Sequence, residues 1–139
     1  MPIYWIAQIA GGAAAAFLGM YLLGSDGGTG NAKDFNAIKA LIAEIIGTFA
    51  LVYVVLNTAT SKGTEGNSFY GLAIGFTVTA MAYTLGGISG GAFNPAVAIG
   101  ASLANLFTWS NIWVYLVGNL VGGALAAIVF KAVSAVDRD

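Results

Sequence analysis

Gly90-Gly91-Ala92-Phe93-Asn94-Pro95-Ala96-Val97 stands in the middle of an almost uncharged apolar stretch, where a turn-forming Asn-Pro pair would ordinarily be a liability. Polar, non-helical backbone at bilayer depth survives only where it is buried in protein or lines a wet cavity. Asn94 occupies the place of an N-cap and Pro95 that of a first helical residue, so a helix should begin here. Such a helix points its positive end into the cavity, which suits a pore better than an enzyme pocket.

Composition sets the class. The 139 residues are 58% hydrophobic and 8% charged, against roughly 25% charged in an average soluble domain. A water-facing surface cannot be assembled from them, so the chain reads as an all-α membrane protein. With a net charge of −1 and no basic or acidic run, nucleic acid is not an expected partner; the lipid bilayer is. The sequence has neither Cys nor His, which removes disulfides, thiolate metal sites and the commonest general base. No metal or cofactor is expected.

Four runs are long enough to span: 3–23, 35–60, 69–85 and 112–133. The first covers ~30 Å at ~1.5 Å per residue, too long for the core of a signal peptide, and no Lys or Arg precedes it. Segment 86–107 does not fit a simple span. Its apolar part, Ala96 to Phe107, is too short to cross, and Gly86, Gly87, Gly90 and Gly91 ahead of it supply a backbone free to turn. The expectation is a re-entrant loop followed by a half-helix from Pro95 to about Leu106, entering and leaving on one side. Four spans then place both termini on one face. Lys62, Lys131 and Arg138 fall on that face and Lys33 and Lys39 on the other, an excess of one charge that favours cytoplasmic termini in a plasma or inner membrane.

The first and last spans align with Tyr4 on Tyr115. Ala7, Gln8, Gly11, Gly12 and Ala13 then meet Gly118, Asn119, Gly122, Gly123 and Ala124. This is either compositional likeness between small-residue spans or a duplicated unit of the kind that builds channels and transporters around a midplane site. In the second case, the first copy lacks its front.

Ala43-Glu44 with Gly47-Thr48-Phe49, then Gly71-Leu72-Ala73-Ile74-Gly75, then Ser89-Gly90-Gly91 before Asn94-Pro95-Ala96, resembles the second half of the aquaporin family of major intrinsic proteins. Tyr4-Trp5-Ile6-Ala7-Gln8 with Gly11 resembles the third of that family's six spans. Nearly the whole chain is covered, as spans three to six, so the chain looks like a partial sequence in which Met1 is an internal methionine. The resemblance implies an inverted-repeat helical bundle in which two half-helices meet at the bilayer centre, usually as a homotetramer with a pore in each subunit. It also implies an Asn94-Pro95-Ala96 motif lining that pore. The N-cap role leaves the Asn94 side-chain NH₂ able to donate to a passing molecule, unless the residue is a plain cap without lumen exposure. By matching position, the selectivity constriction falls on Ala82, Gly91 and Val97. Val97 stands where the family usually carries an Arg, so a strict water-only filter is not implied, and the pore resembles those that pass urea, ammonia or glycerol as well.

Glu44 is the only acidic residue inside a span, which flags a functional site by default. A snorkelling carboxylate is the other reading. The family's corresponding Glu braces the re-entrant loop, and the resemblance gives that role to Glu44. Gln8 and Asn119 read as interhelical hydrogen-bonding residues, and Gly118/Gly122 and Gly71/Gly75 as helix-packing pairs. Trp5, Trp109, Trp113, Tyr4 and Tyr115 read as interfacial anchors. Three functions fit: a passive channel for water and small neutral solutes, an ion-coupled secondary transporter, or a non-conducting fragment. No nucleophile–base pair, metal cluster or phosphate loop supports an enzyme.

Overall fold

A computed structural model describes residues 2–24 and 34–137 of the chain. Lys33 and Arg138, used above to orient the chain, lie outside the described residues. The helices are α1 (Pro2–Leu23), α2 (Ala37–Val55), α3 (Tyr70–Ser89), α4 (Pro95–Leu103) and α5 (Ile112–Val133), and the described residues form no strand. A wider π-type turn over Leu56–Thr60 carries α2 onward. Four of these segments are long and apolar enough to cross a bilayer; α4 is not.

Local chemistry accounts for most helix boundaries. The Asn36 side chain accepts from the Lys39 amide at 3.0 Å and so caps α2. Asn67 caps α3 by accepting from the Phe69 and Tyr70 amides at 3.1 and 3.0 Å. In the π-type turn that follows α2, Asn57, Thr58 and Thr60 donate back to the carbonyls four residues earlier, which satisfies polar side chains near the end of an apolar segment.

Two boundaries differ from the sequence expectation. The third span runs on past Leu85 to Ser89, because Gly86 and Gly87 stay helical and the chain turns left-handed only at Gly90, φ 96°, whose amide bonds the Gly86 carbonyl at 2.8 Å. Glycine permits a break without compelling one. The half-helix stops at Leu103 rather than near Leu106. Asn105 adopts φ 56°, and the Leu106 amide turns back to the Ala101 carbonyl at 2.8 Å, closing the helix with a left-handed cap.

Helices α2 and α5 form the centre. Their buried residues recur at helical spacing, Ala40, Ala43, Glu44, Gly47 and Thr48 against Val114, Tyr115, Gly118, Asn119 and Gly122. The pair is close because Gly118 and Gly122 present no side chain: a Cβ at Gly122 would stand 2.5 Å from the Ile45 carbonyl oxygen, and one at Gly118 2.7 Å from the Glu44 Cβ. Gly71 and Gly75 share that spacing, yet a Cβ at either would meet nothing beyond its own helix backbone within 4 Å, so among the described residues they pack no helix. Helix α3 leans on α2 and α1 on α4. The outer helices leave Tyr83, Phe76, Tyr21 and Leu22 exposed, as lipid is as apolar as these side chains and exacts no penalty.

The α2–α3 loop and the turn after α5 meet at one end of the bundle. There the Asp137 carboxylate accepts from the Ser61 hydroxyl at 2.6 Å, the Lys62 amide at 2.9 Å and the Ser134 hydroxyl at 2.7 Å. Toward the opposite end, an apolar cluster of Ala40, Ala92, Ala98, Phe107, Val114 and Tyr115 joins the start of α2 to the loop, α4 and the start of α5. The loop and half-helix therefore leave and return on the α5-start side.

Candidate functional site: a half-helix and the loop that aims it

The connection from α3 to α4 is built from three left-handed residues, Gly90 (φ 96°), Gly91 (φ 72°) and Phe93 (φ 49°), followed by extended Asn94. The two glycines adopt this backbone freely. Phe93 does not; a left-handed bulky residue carries strain of ~1–3 kcal/mol and persists only where its surroundings over-determine it. Its side chain is 4% exposed and its ring lies against Gly47, occupying the space that a Cβ there would need.

Glu44 supplies the rest of that hold. Its carboxylate is fully buried, with Oε1 accepting from the Ser89 hydroxyl at 2.7 Å and the Ala92 amide at 3.0 Å. Oε2 accepts from the Phe93 amide at 2.7 Å and from Asn119 Nδ2 at 2.8 Å. All four partners are donors, the set an acceptor-only carboxylate satisfies. Neither oxygen reaches water, so the snorkelling alternative fails: Glu44 points inward to the loop. Ser89 Oγ also accepts from the Gly91 amide at 3.0 Å, so loop amides 91, 92 and 93 are all engaged on the Glu44 side.

With its inner amides held, the loop delivers Asn94 to the head of α4. Asn94 Oδ1 accepts from the Ala96 amide at 2.8 Å, and among the described residues nothing engages its Nδ2. Pro95 has no amide to satisfy, and the Val97 N–H has no acceptor among the described residues. The mouth of α4 thus presents two donors without an acceptor among the described residues, beside its positive dipole end. Ala96 is buried where α1 crosses; a Cβ on Gly12 would stand 2.8 Å from the Ala96 carbonyl oxygen, and one on Gly100 2.8 Å from that of Gly12.

The other expected site residues are scattered. Val97 is half-exposed and lines an apolar cavity of ≈ 530 Å³ between α1 and α4, which takes in neither Ala82 nor Gly91. Ala82 stands exposed on α3, and Gly91 is partly buried against Gly86 and the Phe93 ring. Gln8 is exposed on α1, whereas Asn119 does bridge helices, from α5 to Glu44 and Thr48 of α2. Tyr4, Trp5, Trp109 and Trp113 are exposed, as interfacial residues would be. Tyr115 is not: it is fully buried, its hydroxyl donates to the Ser89 carbonyl at 2.6 Å, and its ring stacks on Phe107 at 4.3 Å. That correction has a plain cause: Tyr115 lies on the face of α5 that carries Gly118, Asn119 and Gly122, and that face is buried against α2 and the loop. Ser89 and Phe107 had no signal of their own, because a serine before glycines and a phenylalanine after a half-helix are unremarkable locally.

Comparison with known proteins agrees with this architecture. The family model described as Major intrinsic protein matches residues 1–130. A probable aquaporin, TIP2-2, of Oryza sativa subsp. japonica is 41% identical over 132 residues, covering 94% of this chain and 52% of that protein. Aquaporin TIP2-1 of Arabidopsis thaliana is 42% identical over 131 residues, covering 91% and 52%, and aquaporin TIP1-1 of Zea mays 39% over 132 residues, covering 93% and 52%. The chain spans about half the length of the curated relatives it matches. On the match to nearly its whole length and on a multi-pass bundle with a braced half-helix, the chain belongs to the major intrinsic protein family.

Proposed function

We propose that this protein works as a passive transmembrane channel for water and small neutral solutes such as glycerol, urea and ammonia, along a path that passes the mouth of α4. The observation that carries the reading is the state of Asn94: its oxygen is spent on the Ala96 amide while, among the described residues, nothing engages its NH₂ or the neighbouring Val97 N–H. A nine-residue α4 is ~14 Å long, about half the hydrocarbon thickness, which suits a helix that begins near midplane. A water arriving there is held by donors and turns its lone pairs toward them. A cation meets the same donors and the positive helix end and is opposed, while a neutral solute suffers little.

Ala82, Gly91 and Val97 are the residues we assign to the constriction, and being small or apolar they leave room for solutes larger than water. The names of the relatives, aquaporins, support transport of water. Ion coupling finds no support at Glu44, because its carboxylate oxygens are both occupied by loop and helix donors. A homotetramer in a plasma or inner membrane with cytoplasmic termini completes the proposal; the broad apolar exposure of α1 and α3 suits lipid and subunit contacts.

Stopped-flow swelling of vesicles holding the full-length protein, run solute by solute with and without proton and sodium gradients, tests the reading. Flux should follow each solute's own gradient alone, and Asn94→Asp should cut water flow or admit cations, because a charge replaces a donor. Unchanged flux and ion exclusion in that variant would remove Asn94 from the path.

A further inference from the structure

Tyr115 and Asn119 stand four residues apart on α5, so they share the face that is buried against α2 and the loop. Both side chains end on what holds the loop. The Tyr115 hydroxyl donates at 2.6 Å to the carbonyl of Ser89, the last residue of α3 before the left-handed turn. Asn119 Nδ2 donates at 2.8 Å to Glu44 Oε2, the oxygen that also accepts from the Phe93 amide. Asn119 Oδ1, meanwhile, is buried with no partner among the described residues. An apolar residue would fill this site without leaving an acceptor unsatisfied, so packing alone does not explain an amide here.

The aromatic stack extends the same hold. Phe107, which follows α4, lies parallel to Tyr115 with ring centroids 4.3 Å apart, and its ring fills the space that a Cβ at Gly90 would need. Helix α5 therefore grips the loop at its first turn through Tyr115 and Phe107, and at Phe93 through Asn119 and Glu44. The two grips bracket Gly91 and lie one residue short of Asn94.

We infer that Tyr115 and Asn119 are positioning residues that set the solute discrimination of the channel, acting through the loop without touching the solute. The inference rests on the channel reading above. Without the Tyr115 hydroxyl, the Ser89 carbonyl loses the donor that fixes the plane of the peptide entering the left-handed turn. Without the Asn119 amide, Glu44 Oε2 keeps only the Phe93 amide, and the carboxylate loses its tie to α5 while its three loop-side donors remain. Either change lets Gly91 and Asn94 shift together, and a small change of aperture affects urea or glycerol more than water.

The test uses Tyr115→Phe, which keeps the ring and its stack, and Asn119→Leu, which keeps the branched shape of the side chain. Tyr21→Phe, which removes a hydroxyl from an exposed residue of α1, is the control. Water and urea permeabilities are measured in vesicles at matched protein content, together with hydrogen exchange of the Ala92 and Phe93 amides. In each of the two test variants the urea-to-water permeability ratio should change by about threefold or more, with faster exchange at Ala92 and Phe93 and unchanged exchange in α2. A ratio unchanged from wild type, or water and urea flux lost in proportion, overturns the inference while leaving the channel reading intact. Wild-type vesicles no more permeable than protein-free ones overturn the channel reading, and this inference with it.

Discussion

Glu44→Gln replaces one carboxylate oxygen by an NH₂ group, and the geometry says which oxygen gives way. With the NH₂ at the Oε2 position, the Phe93 amide would face a donor, and Asn119 could accept only by flipping its amide, which would bury Nδ2 where its Oδ1 now finds no partner among the described residues. With the NH₂ at Oε1, the Ser89 hydroxyl can rotate to accept, and only the Ala92 amide is left facing a donor. The second arrangement should prevail. Its cost is one buried, unsatisfied backbone donor, ~1–3 kcal/mol, with a further loss as the remaining hydrogen bonds cease to be charge-assisted. Taking ~2 kcal/mol for the orphaned amide, hydrogen exchange at Ala92 should accelerate by a factor of ~30 through local opening. Phe93, whose acceptor survives, should accelerate much less. Exchange mass spectrometry or NMR on the protein in nanodiscs, resolved to single amides, measures both. Equal acceleration at Ala92 and Phe93, or none at either, would refute the assignment of donors to oxygens on which the calculation stands.

Three further outcomes are expected. Gly122→Ala places a Cβ 2.5 Å from the Ile45 carbonyl oxygen and 3.0 Å from the Phe49 amide nitrogen, so α2 and α5 must part; the loss should be ~1–3 kcal/mol in a detergent-denaturation midpoint, whereas Gly71→Ala should stay within ~0.5 kcal/mol of wild type. Val97→Arg should suppress urea and glycerol flux more than water flux in the swelling assay, and equal loss of all three would point to misfolding instead. At the bundle end, hydrogen bonds from Ser61, Ser134 and the Lys62 amide hold the Asp137 carboxyl below its ordinary value of 3.8. Because the folded-state value is depressed, the tie contributes fully above that ordinary value and is lost only as pH falls through the lowered one. Protection of the Lys62 amide should therefore be flat from pH ~7 to ~5 and fade below pH ~4, while Asp137→Asn should speed tryptic cleavage after Lys62 at neutral pH.

Much of the architecture was legible locally. The start of α4 at Asn94-Pro95 follows from cap and proline chemistry, which act within a few residues and need no partner. The spans follow from length and apolarity alone. Boundaries set by glycine were harder, since Gly86 and Gly87 are as able to break a helix as Gly90 and Gly91; the turn falls where Ser89, Glu44 and Phe107 hold the backbone. The half-helix ended early for a similar reason, an asparagine taking a left-handed conformation that its own sequence position does not demand.

Taken alone, the amino-acid order determined a bilayer as solvent, four segments long and apolar enough to cross it, and one short helix that begins at Asn94-Pro95. Only the tertiary structure decided what stands opposite each residue. Gly118/Gly122 and Gly71/Gly75 have the same spacing, yet one pair meets the backbone of α2 and the other meets nothing. Tyr115, with the look of an interfacial anchor, is buried on the loop, and Glu44, one carboxylate in an apolar helix, gathers donors from α3, the loop and α5. Periodicity and capping are properties of neighbouring residues along the chain. A hydrogen-bond partner 45 or 75 residues away is chosen by how helices cross, and no local pattern encodes that crossing.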